Sequence, residues 1–364
     1  MICQAEDVNP EWLTAVLKRA GVLERARITA VKIQPVDVDK GVTGQLSRMR
    51  IGYDLREPGA PRSLIAKSSA PDPRARAFFH SMGFYEREVR FYREIAPHAE
   101  LRTPRCYYSA IDGSSGRFLL ILEDLGTGSG SLIAGCSATE AERGVRAIST
   151  FHAAWWQHPR TRRTAWLKLS SHLSADQAPG VFRTTWQPFL NKLTPDLRDE
   201  SERAGPWLNA HVGDLHSYIY RAGPHTLIHN DFHPENLLFL DDGTSAAAVL
   251  DWQVPTFGRG VLDVALLLGD LNALDRRAQE LRLLRLYHVL LARHGVRDYT
   301  FRQCWTDYRL AMLFVITRIS MAVGYGGIPP ERDRELCEIV LPRYLAAVRD
   351  IEAYRATESI DRHG

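Results

Sequence analysis

Between Leu227 and Trp252 the chain reads LIHNDFHPENLLFLDDGTSAAAVLDW, and this stretch leaves little freedom to whatever folds around it. Two short apolar runs, Leu237 to Leu240 and Ala246 to Leu250, flank Asp241-Asp242-Gly243, residues that suit the tight turn of a β-hairpin. Asp231 and Asn236 lie on the loop that enters the hairpin, and Asp251 lies at its exit. Entrance and exit of a hairpin share one end, so these oxygen-bearing side chains are expected to converge from a single short segment.

Oxygen donors in that order suit phosphoryl transfer. The reaction needs a carboxylate to orient the attacking hydroxyl and take its proton, and hard oxygen ligands for the Mg²⁺ that bridges the nucleotide phosphates. Asp231 is the candidate base, and Asn236 and Asp251 are the candidate metal ligands. A second chemistry competes at the same place. His225, His229 and His233 recur every four residues, the spacing by which a helix presents imidazoles to zinc. Pro234 and the turn-forming residues around it argue against a helix there, and so against zinc.

The 364 residues are many for one core and suit two lobes. A net charge of +3, spread along the chain rather than bunched, argues against a nucleic-acid partner or a membrane surface. Cys3, Cys106, Cys136, Cys304 and Cys337 are scattered and odd in number, which reads as reduced thiols of a cytoplasmic protein. Glu6, Asp7 and Glu11 near the N-terminus leave no signal-peptide pattern, and apolar runs such as Val264 to Leu268 are too short to span a bilayer.

The run His229-Asn230-Asp231-Phe232-His233-Pro234-Glu235-Asn236, followed by a strand pair and Leu250-Asp251-Trp252-Gln253, resembles the catalytic loop and metal-binding aspartate of aminoglycoside phosphotransferases and choline kinases. Within that superfamily it is most similar to the ecdysteroid kinase-like branch. The resemblance implies an α+β, two-lobed, protein-kinase-like fold. An N-terminal nucleotide-binding lobe (1–125) would carry a five-stranded antiparallel sheet with one main helix. A mostly helical lobe (126–364) would carry catalysis and the acceptor. It also implies transfer of the γ-phosphoryl group of ATP, with Mg²⁺, to a hydroxyl of a small molecule. One residue departs from the pattern: Asn230 stands where the family has glycine, and Asn tolerates a left-handed backbone better than most residues.

The first lobe reads as follows. Asn9 caps a short helix that opens with Pro10, in a run similar to the entry helix of the same branch. Strand patterns cover Ile28 to Val38 and the alternation Met49, Ile51, Tyr53, Leu55. Between them Gly41, Gly44 and Ser47 mark a turn whose backbone N–H groups can approach phosphates. Leu64-Ile65-Ala66-Lys67 is a third strand ending in a lysine, similar to the kinase strand whose lysine holds the α and β phosphates. Phe84, Glu88, Phe91 and Ile95 share one helix face, with Arg87 mostly off it. A carboxylate in that apolar stripe needs a cation, and Lys67 is the natural one. Pro104 to Ala110 and Arg117 to Leu122 form one more hairpin, and Glu123, Asp124 and Leu125 begin the hinge, where the resemblance implies backbone contacts to adenine.

In the second lobe Ser137-Ala138-Thr139-Glu140 is a capping box. The helix it opens carries His152 and Trp156, in a segment similar to the same kinase branch, as packing residues. Residues 157–211 look irregular, mostly short helical pieces, and are where the acceptor surface is expected. They carry eight Lys or Arg against five Asp or Glu, so a neutral or anionic acceptor suits them better than a polycationic aminoglycoside. Only Trp252 to Arg259 separate Asp251 from the next helical pattern, too few for a loop that docks a protein substrate. Asp263 near that helix start is expected to cap it. Two other readings remain: a nucleotide-binding homologue without catalysis, and a kinase acting on a hydroxyacyl thioester rather than a free alcohol.

Overall fold

The computed structural model describes residues 4–36, 43–126, 130–159, 164–167, 173–240, 247–326 and 329–359. Residues 1–98, 103–127 and 251–253 form one compact unit, and residues 99–102, 128–250 and 254–364 form a second.

In the first unit the Asn9 side chain accepts the Trp12 N–H at 2.9 Å and starts α1 (Pro10–Arg19). Strands β1 (Ile28–Pro35), β2 (Gly44–Tyr53), β3 (Ser63–Ser69), β4 (Cys106–Asp112) and β5 (Arg117–Glu123) make an antiparallel sheet in the order β1-β2-β3-β5-β4. The register sets Lys67 opposite Leu46 on one side and Leu120 on the other. Leu13, Val16 and Leu17 of α1 pack with Met49, Leu64, Ala66, Leu119 and Ile121 of the sheet. Each such leucine contributes roughly 1.5–3 kcal/mol by leaving water. Side chains alternate along a strand, so Ser63, Ile65 and Lys67 belong to the face opposite this core.

Two helices follow β3. The first, α2 (Pro73–Ser81), begins at Asp72, whose carboxylate accepts the Ala75 N–H; no sequence pattern had singled it out. The second, α3 (Phe84–Arg90), runs into a wider π-type turn, Phe91–Ile95, and ends across Pro97 as the pattern requires. Two expectations need correcting here. Arg87 is buried, not off the stripe, because its guanidinium folds back to the Met82 carbonyl at 3.1 Å. Leu55 lies beyond the end of β2 and is exposed. Gly41 lies outside the described residues, while Gly44 and Ser47, expected in the same turn, lie in β2.

In the second unit the Ser137–Glu140 capping box forms as expected and opens α4 (Ala138–Ala154). Residues 157–211, expected to form mostly short helical pieces, instead supply α5 (Ala178–Leu190) and most of the long α6 (Pro195–Tyr220). Pro206 inside α6 and its many polar residues conceal the helix in the sequence, while Leu208, Val212, Leu215 and Ile219 bury its inner stripe. Short strands pair as β6 (Thr226–Ile228) with β9 (Thr256–Gly258), and β7 (Leu237–Leu238) with β8 (Ala248–Val249). The turn Asp241-Asp242-Gly243 lies outside the described residues. Helices α7 (Val261–Gly269), α8 (Ala273–Arg293), α9 (Phe301–Tyr325), α10 (Pro330–Glu335) and α11 (Leu341–Asp350) complete the unit.

α9 is its central helix. At Gly324 an added Cβ would stand 2.0 Å from the Thr185 carbonyl oxygen, so only glycine lets α9 and α5 approach so closely. The helix is long and apolar enough to cross a membrane by length and composition, contrary to the expectation from short apolar runs, but 67% of that apolar stretch is buried inside the unit. Among the described residues Cys106, Cys136, Cys304 and Cys337 are free thiols.

Candidate active site

The loop from His229 to Asn236 follows β6 and precedes β7, and the second unit fixes it by its own backbone. Asn230 takes φ 68°, the left-handed region, which a residue with a short polar side chain tolerates. Its side chain also does what glycine cannot. It accepts the Tyr220 hydroxyl at 2.8 Å and donates to the Val254 carbonyl at 3.2 Å. Arg318 of α9 reaches the same residue, donating to the Asn230 carbonyl at 2.9 Å.

Asp263 holds the loop from below. Its carboxylate is fully buried and accepts the backbone N–H groups of His229 at 2.7 Å and Asn230 at 2.8 Å, with the His152 ring at 3.1 Å. This corrects the expected role: Asp263 caps the loop, not the start of α7, whose N-cap position is Gly260. His152 is correspondingly more than packing, since its ring bridges Asp263 and the Tyr287 hydroxyl.

His229 donates its Nε2–H to the Leu250 carbonyl at 2.8 Å and accepts the Asp231 N–H on Nδ1 at 3.2 Å. Asp231 is thereby left with its side chain 44% exposed. Burial of its surroundings would raise this carboxyl, but His233 at 3.4 Å, then Arg318 and His229, hold it well below the usual carboxylate range. Reciprocally, burial would lower His233, and Asp231 raises it above the ordinary imidazole value.

Asn236 closes the loop. Its Nδ2 donates to the Asp231 carbonyl at 2.8 Å, so among the described residues its Oδ1 is left without a donor. The Leu250 N–H donates to the Asn236 carbonyl at 2.8 Å, which ties the loop to the residue preceding Asp251.

A second cluster forms in the first unit. Lys67 Nζ lies 2.7 Å from Glu88 Oε1 and 2.9 Å from Asp251 Oδ1. Trp252, fully buried, stacks on Phe91 with ring centroids 3.9 Å apart, and this anchors Asp251 beside α3. Asp251 takes φ 57°, again left-handed, with its side chain 39% exposed. Burial pushes Glu88 up to about 7, Lys67 opposing and Asp251 adding to the rise. Burial alone would lower Lys67, but Asp251 and Glu88 raise it above the ordinary lysine value.

The structure thus brings Asp231 and Asn236 together in one unit, and Lys67, Glu88 and Asp251 together in the other. The free Asn236 Oδ1 and the exposed carboxylate of Asp251 are each a hard oxygen donor of the kind Mg²⁺ takes, which usually keeps several waters and needs few protein ligands. Gly44 opens β2, where a Cβ would meet the Ser68 carbonyl oxygen at 2.5 Å, and Ser47 pairs with Ala66. Glu123 and Asp124 use their side chains structurally: Glu123 accepts the Arg105 N–H, Asp124 binds Arg48 at 2.7 Å, and Leu125 follows them beyond the end of β5. The zinc alternative loses its basis. His225 precedes β6, His229 and His233 lie on the loop beyond it, and among the described residues no group of three or more His, Cys, Asp or Glu could hold a metal. Sequence reasoning missed the Lys67–Asp251 pair and the Asp263 clamp, both of which depend on distant segments.

The profile of the ecdysteroid kinase-like family matches residues 41–297. No curated protein matches the sequence. Among solved structures, the chain resembles a protein from Ralstonia eutropha assigned as an aminoglycoside phosphotransferase, with TM-score 0.57, 15% identity, and 94% of this chain and 98% of that one covered. It also resembles the choline kinase of Cryptosporidium parvum (TM-score 0.54, 10% identity, 98% and 97% covered) and the GDP and kanamycin complex of APH(2")-IIIa (0.53, 11%, 95% and 99%). At these identities the likeness establishes the fold, a kinase-like α+β architecture.

Proposed function

Because the chain belongs to the ecdysteroid kinase-like family, we propose that it is a small-molecule kinase that moves the γ-phosphoryl group of ATP to an acceptor hydroxyl. Asp231 orients the hydroxyl and takes its proton. Its depressed carboxyl keeps it ionised through the physiological range, and His233 and Arg318 stabilise that charge. Lys67, oriented by Glu88, holds the non-transferred phosphates. Asn236 and Asp251 would each offer an oxygen to Mg²⁺, which would neutralise charge on the phosphates.

The observation that carries this reading is the ammonium of Lys67 placed on both Glu88 and Asp251. A lysine serving only Glu88 would be an ordinary buried pair; one that also reaches the carboxylate after β8 joins the phosphate-binding strand to the candidate metal ligand. The solved neighbours support nucleotide binding and small acceptors in proteins of this fold, since their complexes hold GDP alone and GDP with kanamycin. The short segment between Asp251 and α7 favours a small acceptor, and the surplus of Lys and Arg in 157–211 favours a neutral or anionic one.

The test is to incubate the protein with Mg-ATP and a metabolite pool and to follow mass gain of one phosphate. Asp231→Asn should abolish the product and leave nucleotide affinity nearly unchanged, whereas Asp251→Ala should weaken Mg-nucleotide binding itself. Full turnover by Asp231→Asn would remove it from the role of base.

A further inference from the structure

On the first unit a hollow of about 840 Å³ is lined by Arg48, Arg50, Arg56, Arg62, Tyr53 and Ser63, with Asp124 and Gly126 at its edge. Its shape and charge come from strand alternation. Arg48 and Arg50 share one face of β2, and the register sets Ser63 opposite Arg50. Arg56 follows the end of β2, and Arg62 precedes β3.

Four guanidinium groups face one carboxylate there. Asp124 is already committed, binding Arg48 through Nε at 2.7 Å and Nη2 at 3.2 Å. Among the described residues Arg50, Arg56 and Arg62 have no ion pair. The nearby acids are diverted elsewhere: Glu57 accepts the backbone N–H groups of Glu24, Arg25 and Ala26, and Asp54 those of Arg27 and Leu55. Like charges gathered in a concavity without counter-ions repel one another, and the arrangement costs stability unless an anion relieves it.

We propose that this hollow binds a small phosphorylated molecule, with Arg50, Arg56 and Arg62 as the phosphate ligands and Arg48, pinned by Asp124, as a fixed wall. Guanidinium forks match phosphate oxygens bidentately. The volume lies within the range of small-molecule sites. A nucleic acid or a lipid surface fits less well, since the charge is confined to one concavity on a chain of net charge only +3.

The site is separate from the Lys67 cluster. Ser63 precedes Lys67 by four residues on the same face of β3, about 13 Å along the strand, so one phosphate group cannot touch both Lys67 and the arginines beside Ser63. Anion capture in the hollow does not require phosphoryl transfer elsewhere.

Inorganic pyrophosphate, titrated calorimetrically into metal-free protein at low salt, tests this. Without metal the cluster of Lys67, Glu88 and Asp251 carries net negative charge and offers pyrophosphate little. Wild type should bind, and the double variant Arg50→Ser/Arg62→Ser should weaken binding about ten-fold or more. Arg56→Ser should show a smaller loss. Both hollow variants alter exposed side chains, and circular dichroism verifies that they fold. No binding by wild type, or unchanged affinity in the double variant, would overturn the proposal. So would tighter capture of an RNA oligonucleotide or of phosphatidylserine vesicles than of pyrophosphate, lost in the same double variant.

Discussion

Lys67 Nζ and Asp251 Oδ1 stand 2.9 Å apart across 184 residues of chain, while the same ammonium lies 2.7 Å from Glu88. One cation therefore serves two carboxylates, one of them almost wholly buried. The cluster is short of one positive charge, and that deficit makes it receptive to a divalent ion. It also makes the lysine hard to replace.

Lys67→Met should destabilise the protein by about 3–5 kcal/mol, since it leaves Glu88 buried without a partner. Uptake of a proton by Glu88 will temper the loss. Adding Glu88→Gln should recover part of it, because the uncompensated charge goes too. Urea unfolding of the single and double variants measures both steps; a double variant no more stable than Lys67→Met would show that the pair's worth is packing, not charge.

Stability should also depend on pH. Glu88 is raised in the folded state from 4.5 to about 7. A group so raised contributes stability that is fully present below its unfolded pKa and is lost as pH rises through the folded value. Asp270, buried in the second unit and likewise pushed up to about 7 by burial, acts with the same sign. Unfolding free energy should then fall between roughly pH 5 and pH 8, each group adding at most about 1.4 kcal/mol per pH unit. Glu88→Gln and Asp270→Asn should each flatten the slope. A slope that both variants leave intact would assign the titration to other groups.

The Asp263 clamp makes a different forecast. Its carboxylate accepts two loop N–H groups and the His152 ring, all buried. Asp263→Ala strands those donors and should cost about 3 kcal/mol or more. Phosphoryl transfer should drop with it, because the loop bearing Asp231 loses its support. Thermal unfolding with activity below the transition separates the two effects. Full activity in a destabilised variant would show the loop to be held by Arg318 and Tyr220 alone.

What the sequence reveals follows the range of the forces involved. Asn9 and the Ser137–Glu140 box act within one helical turn, and both caps form where the residues place them. The 3.6-residue stripe through Glu88 demands a cation, and Lys67 supplies it. The left-handed backbone at Asn230 follows from a local steric preference. Asp263 defeats the same logic. An acid near a helix start looks like that helix's own cap, and only the fold brings His229 and Asn230 over it. The long α6 is hidden because its apolar stripe is diluted by polar residues and interrupted by Pro206. Arg48 and Arg50 read as the wet face of a strand, and the hollow they line depends on Arg62 arriving from the neighbouring strand.

The charge on Asp231 leads to the last forecast. Of the groups that hold its carboxyl low, His233 acts most strongly, ahead of Arg318 and His229. His233 is itself raised by Asp231, so toward acid pH it carries its proton and keeps the neighbouring base ionised. His233→Gln removes that imidazolium without taking the loop from Asp263. The acid limb of kcat/KM should then move upward by roughly one pH unit, while the rate near pH 8, where Asp231 is ionised in either protein, changes little. Conversely, a uniform drop at all pH values would mean that His233 positions the loop and does not tune the base. An unmoved acid limb with an unmoved plateau would leave Arg318 as the group that keeps Asp231 charged.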